Sequence, residues 1–212
     1  LGVEFTTSQT VEKICVEKGK ATGVIANGIK HTADVVISGA DYNHSESLLE
    51  ENQRGYSDAY WEKKVFAPSS LLFFIGLDKK VKNVSHHTLF FDVDFDEHAK
   101  SIYDNPEWPK EPLFYGNFPS ITDHSMAPQG KEACFLLIPI GPGIQDTNEM
   151  REKYFDIVLK RLKDLTGNDI EKNIIFKKSY CVNDFEKDYN SFKGNAYGLA
   201  NTLRQTAVLK PR

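Results

Sequence analysis

Apolar residues in the first forty positions come in short runs separated by turn residues. Val11, Ile14 and Val16 lead to a turn at Gly19-Lys20, and Gly23-Val24-Ile25 follows. Asn27-Gly28, a strong hairpin signal, then precedes Val35-Val36-Ile37, so the pattern predicts a three-stranded meander with its third strand over 35–37. That strand runs through Ser38-Gly39-Ala40-Asp41 into a short helix, with Asn43 as its cap, Glu46 at capping-box spacing and Leu48 and Leu49 inside. Residues 69–77 are apolar almost without alternation, which predicts a central strand covered on both faces. Shorter strands are expected over 87–93 and 113–118, and a second buried one over 133–140, where Pro139 suits a strand end. A short helix is expected over 94–103. Helical spacing is clearest over 146–166, where Met150, Tyr154, Ile157, Val158, Leu162 and Leu165 recur on one face. Asp146 and Glu149 read there as a capping box and Gly167 as the residue past the end. A strand over 174–179, a helix over 183–189 and a glycine-punctuated end complete an α/β reading.

Composition narrows the function classes. The 212 residues carry 26 Lys+Arg against 30 Asp+Glu, a net charge of -4, so there is no basic field for a phosphate backbone and no nucleic-acid partner is expected. Hydrophobic residues at 40% with 14 Phe and 9 Tyr exclude intrinsic disorder. The longest apolar run, Leu71 to Ile75, is far short of the roughly 20 residues of a membrane-spanning helix. Cys15, Cys134 and Cys181 are too few and too widely spaced for a disulfide framework or a zinc knuckle, which fits a reducing cytoplasm. The chain opens at Leu1 without Met and stops at Lys210-Pro211-Arg212, which raises the expectation of an internal piece of a longer protein.

Motifs with specific chemistry fail on their spacing. His86-His87 on a strand would point to opposite faces and could not chelate one ion. Asp92, Asp94, Asp96 and Glu97 resemble a calcium loop, but the sixth position is Glu97 and the twelfth Tyr103. Gly141-Pro142-Gly143 has Asp146 where a dinucleotide fingerprint needs its third glycine, and no GxSxG elbow is present. No metal site is expected and no catalytic residue can be named. What remains is the aromatic content of the strands, ordinary core material that as a group can also wall an apolar pocket. Phe73, Phe118 and Phe135 are the candidates for lining it.

Four stretches together resemble the phytoene desaturase (CrtI-type carotene desaturase) family of flavoproteins. They are Val11-Glu12-Lys13-Ile14 through Gly23-Val24 to Asp34-Val35-Val36-Ile37-Ser38-Gly39-Ala40-Asp41; Ser85-His86-His87-Thr88; and Asp123-His124-Ser125-Met126-Ala127-Pro128-Gln129-Gly130 leading to Leu137-Ile138-Pro139-Ile140. The last is Asp184-Phe185 with Tyr189-Asn190-Ser191-Phe192-Lys193-Gly194-Asn195-Ala196-Tyr197-Gly198, Gln205 and Lys210-Pro211, where Lys210 stands in place of the family's frequent Arg.

The resemblance implies a partial FAD/NAD(P)-binding domain over 1–43 and an α+β substrate-binding domain over 44–212 built on a mixed β-sheet with flanking helices. It implies FAD as cofactor, with the backbone of Val11 at the adenine, and an apolar polyene as substrate, phytoene being dehydrogenated towards lycopene. It also implies peripheral contact of the whole protein with the cytoplasmic membrane, and neither bound FAD nor activity for these residues by themselves. A carotenoid ketolase, a retinol saturase-like enzyme and a non-catalytic lipid- or partner-binding module are the rival readings.

Overall fold

The computed structural model describes residues 2–211 and contains two antiparallel sheets. The first is a meander of β1 (Val11–Glu17), β2 (Lys20–Ala26) and β3 (Ile29–Thr32). Asn27 and Gly28 take left-handed φ values of 47° and 76°, the backbone a type I′ hairpin requires. This two-residue turn forces the return strand to start at Ile29. The third strand is therefore not at 35–37, as the apolar run suggests: Val35 and Ile37 are 72% and 89% exposed and lie outside any strand. The earlier turn also sits one residue back, at Lys18 and Gly19, both left-handed.

Three helices and two strands follow. α1 (Tyr42–Ser47) is capped by Asp41, whose Oδ1 accepts from the Asn43 amide, so Asn43 lies inside the helix and is not its cap. Glu46 reaches the Tyr56 amide instead of closing a capping box. α2 (Asp58–Glu62) was not legible as a helix and carries the buried Trp61. β4 (Ser69–Leu77) and β5 (His87–Phe90) come next, then α3 (Phe95–Tyr103), capped by Asp94.

β6 (Phe114–Asn117), β7 (Glu132–Ile140) and β8 (Ile174–Tyr180) complete a five-stranded sheet in the order β5-β6-β7-β4-β8. Every pairing in it is antiparallel, so the sheet is not mixed. β4 is central, as its composition predicts. Its burial nevertheless alternates: Leu71, Phe73, Ile75 and Leu77 are buried, whereas Leu72 is half-buried and Phe74 is 41% exposed. The expectation of cover on both faces fails because an antiparallel sheet, unlike a βαβ sheet, has no crossover helices on its second face.

The covered face packs against α4 (Asn148–Thr166), whose Tyr154, Phe155, Val158 and Leu162 join the strand residues in one core. The Phe73 and Phe155 rings meet at 4.8 Å, and the Arg161 guanidinium stacks on Phe114. Each such buried side chain contributes about 1.5–3 kcal/mol. Thr147, not Asp146, caps α4 by accepting from the Met150 amide, and Gly167 ends it at φ 77°. Asp146 is engaged elsewhere: its carboxylate holds Arg151 and accepts from the amide of Asn183 on α5 (Val182–Tyr189). Burial opposes that charge, but the Arg151 and Asn183 hydrogen bonds outweigh it and keep the carboxyl below its ordinary range.

Candidate functional site

The uncovered face of the five-stranded sheet is where the structure departs from an ordinary solvated surface. In an antiparallel sheet residues directly opposite each other share a face. Two registers therefore define rows across all five strands: His87–Asn117–Phe135–Phe74–Lys178 and Leu89–Tyr115–Leu137–Leu72–Tyr180. On the two central strands these rows place Phe135 against Phe74, ring centroids 5.1 Å apart, and Leu137 against Leu72. Beyond them lie Ala133 and Gly76, then Phe176, which is 56% exposed. From Leu72 to Gly76 this gives an apolar track about 14 Å long at the usual rise per residue. The second face of such a sheet is normally polar; here it is apolar, which makes it the candidate binding face.

At the β8 edge the track continues onto α5. Tyr180 meets Phe185 edge-on at 4.9 Å, while its hydroxyl donates to the Asp184 carbonyl or Asp188. Burial and the Asp188 carboxylate raise that phenol well above its usual range. Phe185 also lines a cleft of about 520 Å³ between the segment preceding α1 and the segment following α5. Its walls are Tyr42, Phe185, Tyr189 and Tyr197, with the backbone of Gly39, Ala40 and Gly198. Asn195 ties the two sides together by donating to Asp41 Oδ2 at 3.0 Å. The tight path of the chain beneath it requires Gly194, at φ 61°, where a Cβ would lie 2.5 Å from Val182.

The site candidates fall in different places. Phe73 and Phe118 have no exposed surface and pack in the core on the α4 side, while Phe135 alone of the three lies on the open face. Its neighbours Leu72, Phe74, Leu137 and Tyr115 carried no separate signal, because both faces of β4 and β7 are apolar. Val11 opens the edge strand of the meander. Asn27 donates to the Thr10 carbonyl and accepts from its amide through Oδ1, so alternation turns the Val11 amide and carbonyl to the outer edge.

Gln205 is buried and clamps both backbone groups of Val65, a structural task. His86 and His87 do not point apart as expected. His86 precedes β5, and the two rings stack at 4.2 Å. Among the described residues no cluster of three or more His, Cys, Asp or Glu forms a metal site, and no helix is long and apolar enough to cross a membrane.

The fold resembles that of an oxidoreductase from Methanosarcina mazei, with a TM-score of 0.55 over 82% of this chain and 37% of that one at 20% identity. No protein-family profile matches the chain. Sequence relatives do: a carotenoid 3,4-desaturase of Haloarcula japonica is 42% identical over 100% of this chain and 43% of its own length. A lycopene-forming phytoene desaturase of Paracoccus is 29% identical over the same shares. The chain thus belongs to the carotenoid desaturase/phytoene desaturase family. It spans about two-fifths of the length of these relatives.

Proposed function

We propose that these residues form the substrate domain and part of the cofactor domain of an FAD-dependent carotenoid desaturase, with the division near residue 43. The observation that carries the reading is the apolar track of Leu72, Phe74, Phe135 and Leu137 on an uncovered sheet face, continuous through Tyr180 and Phe185 with the aromatic cleft. A polyene hydrocarbon offers no hydrogen-bond handle, so shape and apolar contact must hold it. Aromatic side chains suit this because their flat faces pack against a conjugated chain and exclude water.

Val11 presents one donor and one acceptor at an open strand edge, which fits the hydrogen-bonding edge of an adenine. FAD, when bound, supplies the hydride acceptor that a hydrocarbon dehydrogenation needs. The residues of this chain hold the polyene extended and dry while a C–H bond is presented in one orientation. Because the substrate dissolves in lipid, peripheral contact of the whole protein with the cytoplasmic membrane belongs to the same reading.

The test is turnover of phytoene by the intact protein with FAD, followed by chromatography of the products. More extended polyenes are expected from the wild type. Phe135→Asp, which sets a charge on the track, is expected to lower that yield about tenfold or more with an unchanged melting curve. Unchanged phytoene and other carotenes with the wild type refute the proposal.

A further inference from the structure

The two walls of the aromatic cleft are fixed in unequal ways. One wall, residues 196–198, is pinned to the chain that enters β4. The Ala196 amide donates to the Pro68 carbonyl at 3.0 Å, the Ala67 amide donates to the Gly198 carbonyl at 2.8 Å, and Phe66 bridges to Leu199. The facing wall, residues 39–42, follows the exposed run at 35–37 and belongs to neither sheet. Asn195 joins the two. Its side chain is buried, with Nδ2 donating to the Phe192 carbonyl at 2.9 Å and to Asp41 Oδ2 at 3.0 Å, while Oδ1 accepts from the Gly198 amide. The Phe192 and Gly198 bonds close the loop in which Asn195 itself lies. The bond to Asp41 reaches across 154 positions and is not needed for that turn. Asp41 in turn uses Oδ1 to cap α1, whose first residue is the cleft residue Tyr42, packed 6.3 Å from the buried Trp61 ring. One carboxylate thus sets both where α1 begins and how far that start lies from the opposite wall.

We propose that Asn195 is a positioning residue: through Asp41 it sets the spacing of the cleft walls, and that spacing decides which C–H bond of the polyene is presented for reaction. The inference rests on the carotenoid-desaturase reading above and adds a determinant of product specificity to it. Apolar contact has no direction, so a hydrocarbon can slide along the track without losing any one bond to the protein. The register at which it stops is set by the shape of the cleft at the end of the track. A wall displaced by about one ångström moves the reacting bond out of line, at a large cost in rate, and lets a neighbouring bond compete.

Two variants sever the tie and spare the cap. Asp41→Ser keeps a hydroxyl able to cap α1 but too short to reach Asn195, and Asp41→Asn keeps the length and the capping oxygen but sets one amide nitrogen against another. Phytoene and other carotenes are supplied in detergent micelles to the intact protein with FAD, and the products are separated by chromatography. The ratio of minor products to the major one is expected to rise about tenfold in both variants, well beyond any fall in total conversion, with an unchanged melting curve. Affinity for a coloured carotene, followed by quenching of protein fluorescence, is expected to change by less than about threefold. A merely structural role would lower the total without moving the ratio. An unmoved ratio in both variants overturns the inference and leaves the desaturase reading standing. Loss of conversion, of carotene binding or of the fold in both variants overturns it too, since the loop around Asn195 closes without Asp41. A wild-type protein that leaves phytoene and the other carotenes unchanged sinks the desaturase reading itself.

Discussion

Phe73 and Phe74 are adjacent in the chain and end on opposite sides of one sheet. Phe73 has no exposed surface and packs at a tilt against Phe155 of α4, whereas Phe74 is 41% exposed and packs against Phe135. The same side-chain chemistry therefore serves two purposes. On the covered face a ring contributes to stability because it is enclosed by close-packed neighbours. On the open face the ring is only partly enclosed and contributes less to folding. An exposed apolar face carries an aggregation risk, which is why this face, and not the covered one, is the candidate binding surface.

The contrast can be broken or sharpened by measurement. The largest effect is expected for Phe73→Ala, which leaves a cavity between β4 and α4 and lowers unfolding stability by about 3–5 kcal/mol in denaturant titration. A loss under about 1 kcal/mol would show that the covered face is not close-packed.

A second effect concerns acid. His98 on α3 is buried, donating through Nε2 to the Pro139 carbonyl at the end of β7 and accepting the Leu113 amide on Nδ1. Desolvation lowers its pKa below 6.5, aided by Arg161 and opposed by the Pro139 hydrogen bond. The unfolded chain thus binds the proton more readily than the folded one. Stability is at its full value above the unfolded pKa of 6.5 and falls as the pH drops from there towards the lower folded value. The slope is at most about 1.4 kcal/mol per pH unit, the limit for one proton. This limb is expected to vanish in His98→Gln, with unfolding followed from pH 7 to 5 as the check.

The smallest effect belongs to the open face. Phe74→Ala is expected to cost less than about 1 kcal/mol in the same titration, because an exposed ring has few contacts to lose. A cost equal to that of Phe73→Ala would make both faces core and remove the structural basis of the track.

Much of this architecture is legible from local chemistry. The 3.6-residue spacing of Tyr154, Val158 and Leu162 and the glycine at 167 mark α4, and the apolar runs mark β4 and β7, because these signals are written within a few residues. The open face is not legible. Leu71-Leu72-Phe73-Phe74-Ile75 has no polar partner in its alternation, so nothing in the run tells which side a helix will cover. The cleft escapes spacing arguments altogether, since Asp41 and Asn195 are 154 positions apart and meet only through the fold. Likeness to a family placed both segments among the informative ones without indicating that they touch. The stacked pair of His86 and His87 was missed for a smaller reason, a strand that starts one residue later than strict alternation assumes.

The order of the large sheet has a consequence for biogenesis. Its central strand ends at Leu77, yet the flanking strands end only at Ile140 and Tyr180. A ribosome emitting this polypeptide delivers this greasy stretch before its partners and must synthesise more than fifty further residues before a neighbour can begin to pair with it. Until then Leu71 to Ile75 is a naked aggregation template, and long-range pairing of this kind is intrinsically slow. Yield in a heterologous host should accordingly respond to translation speed and chaperone supply more than to any single surface substitution.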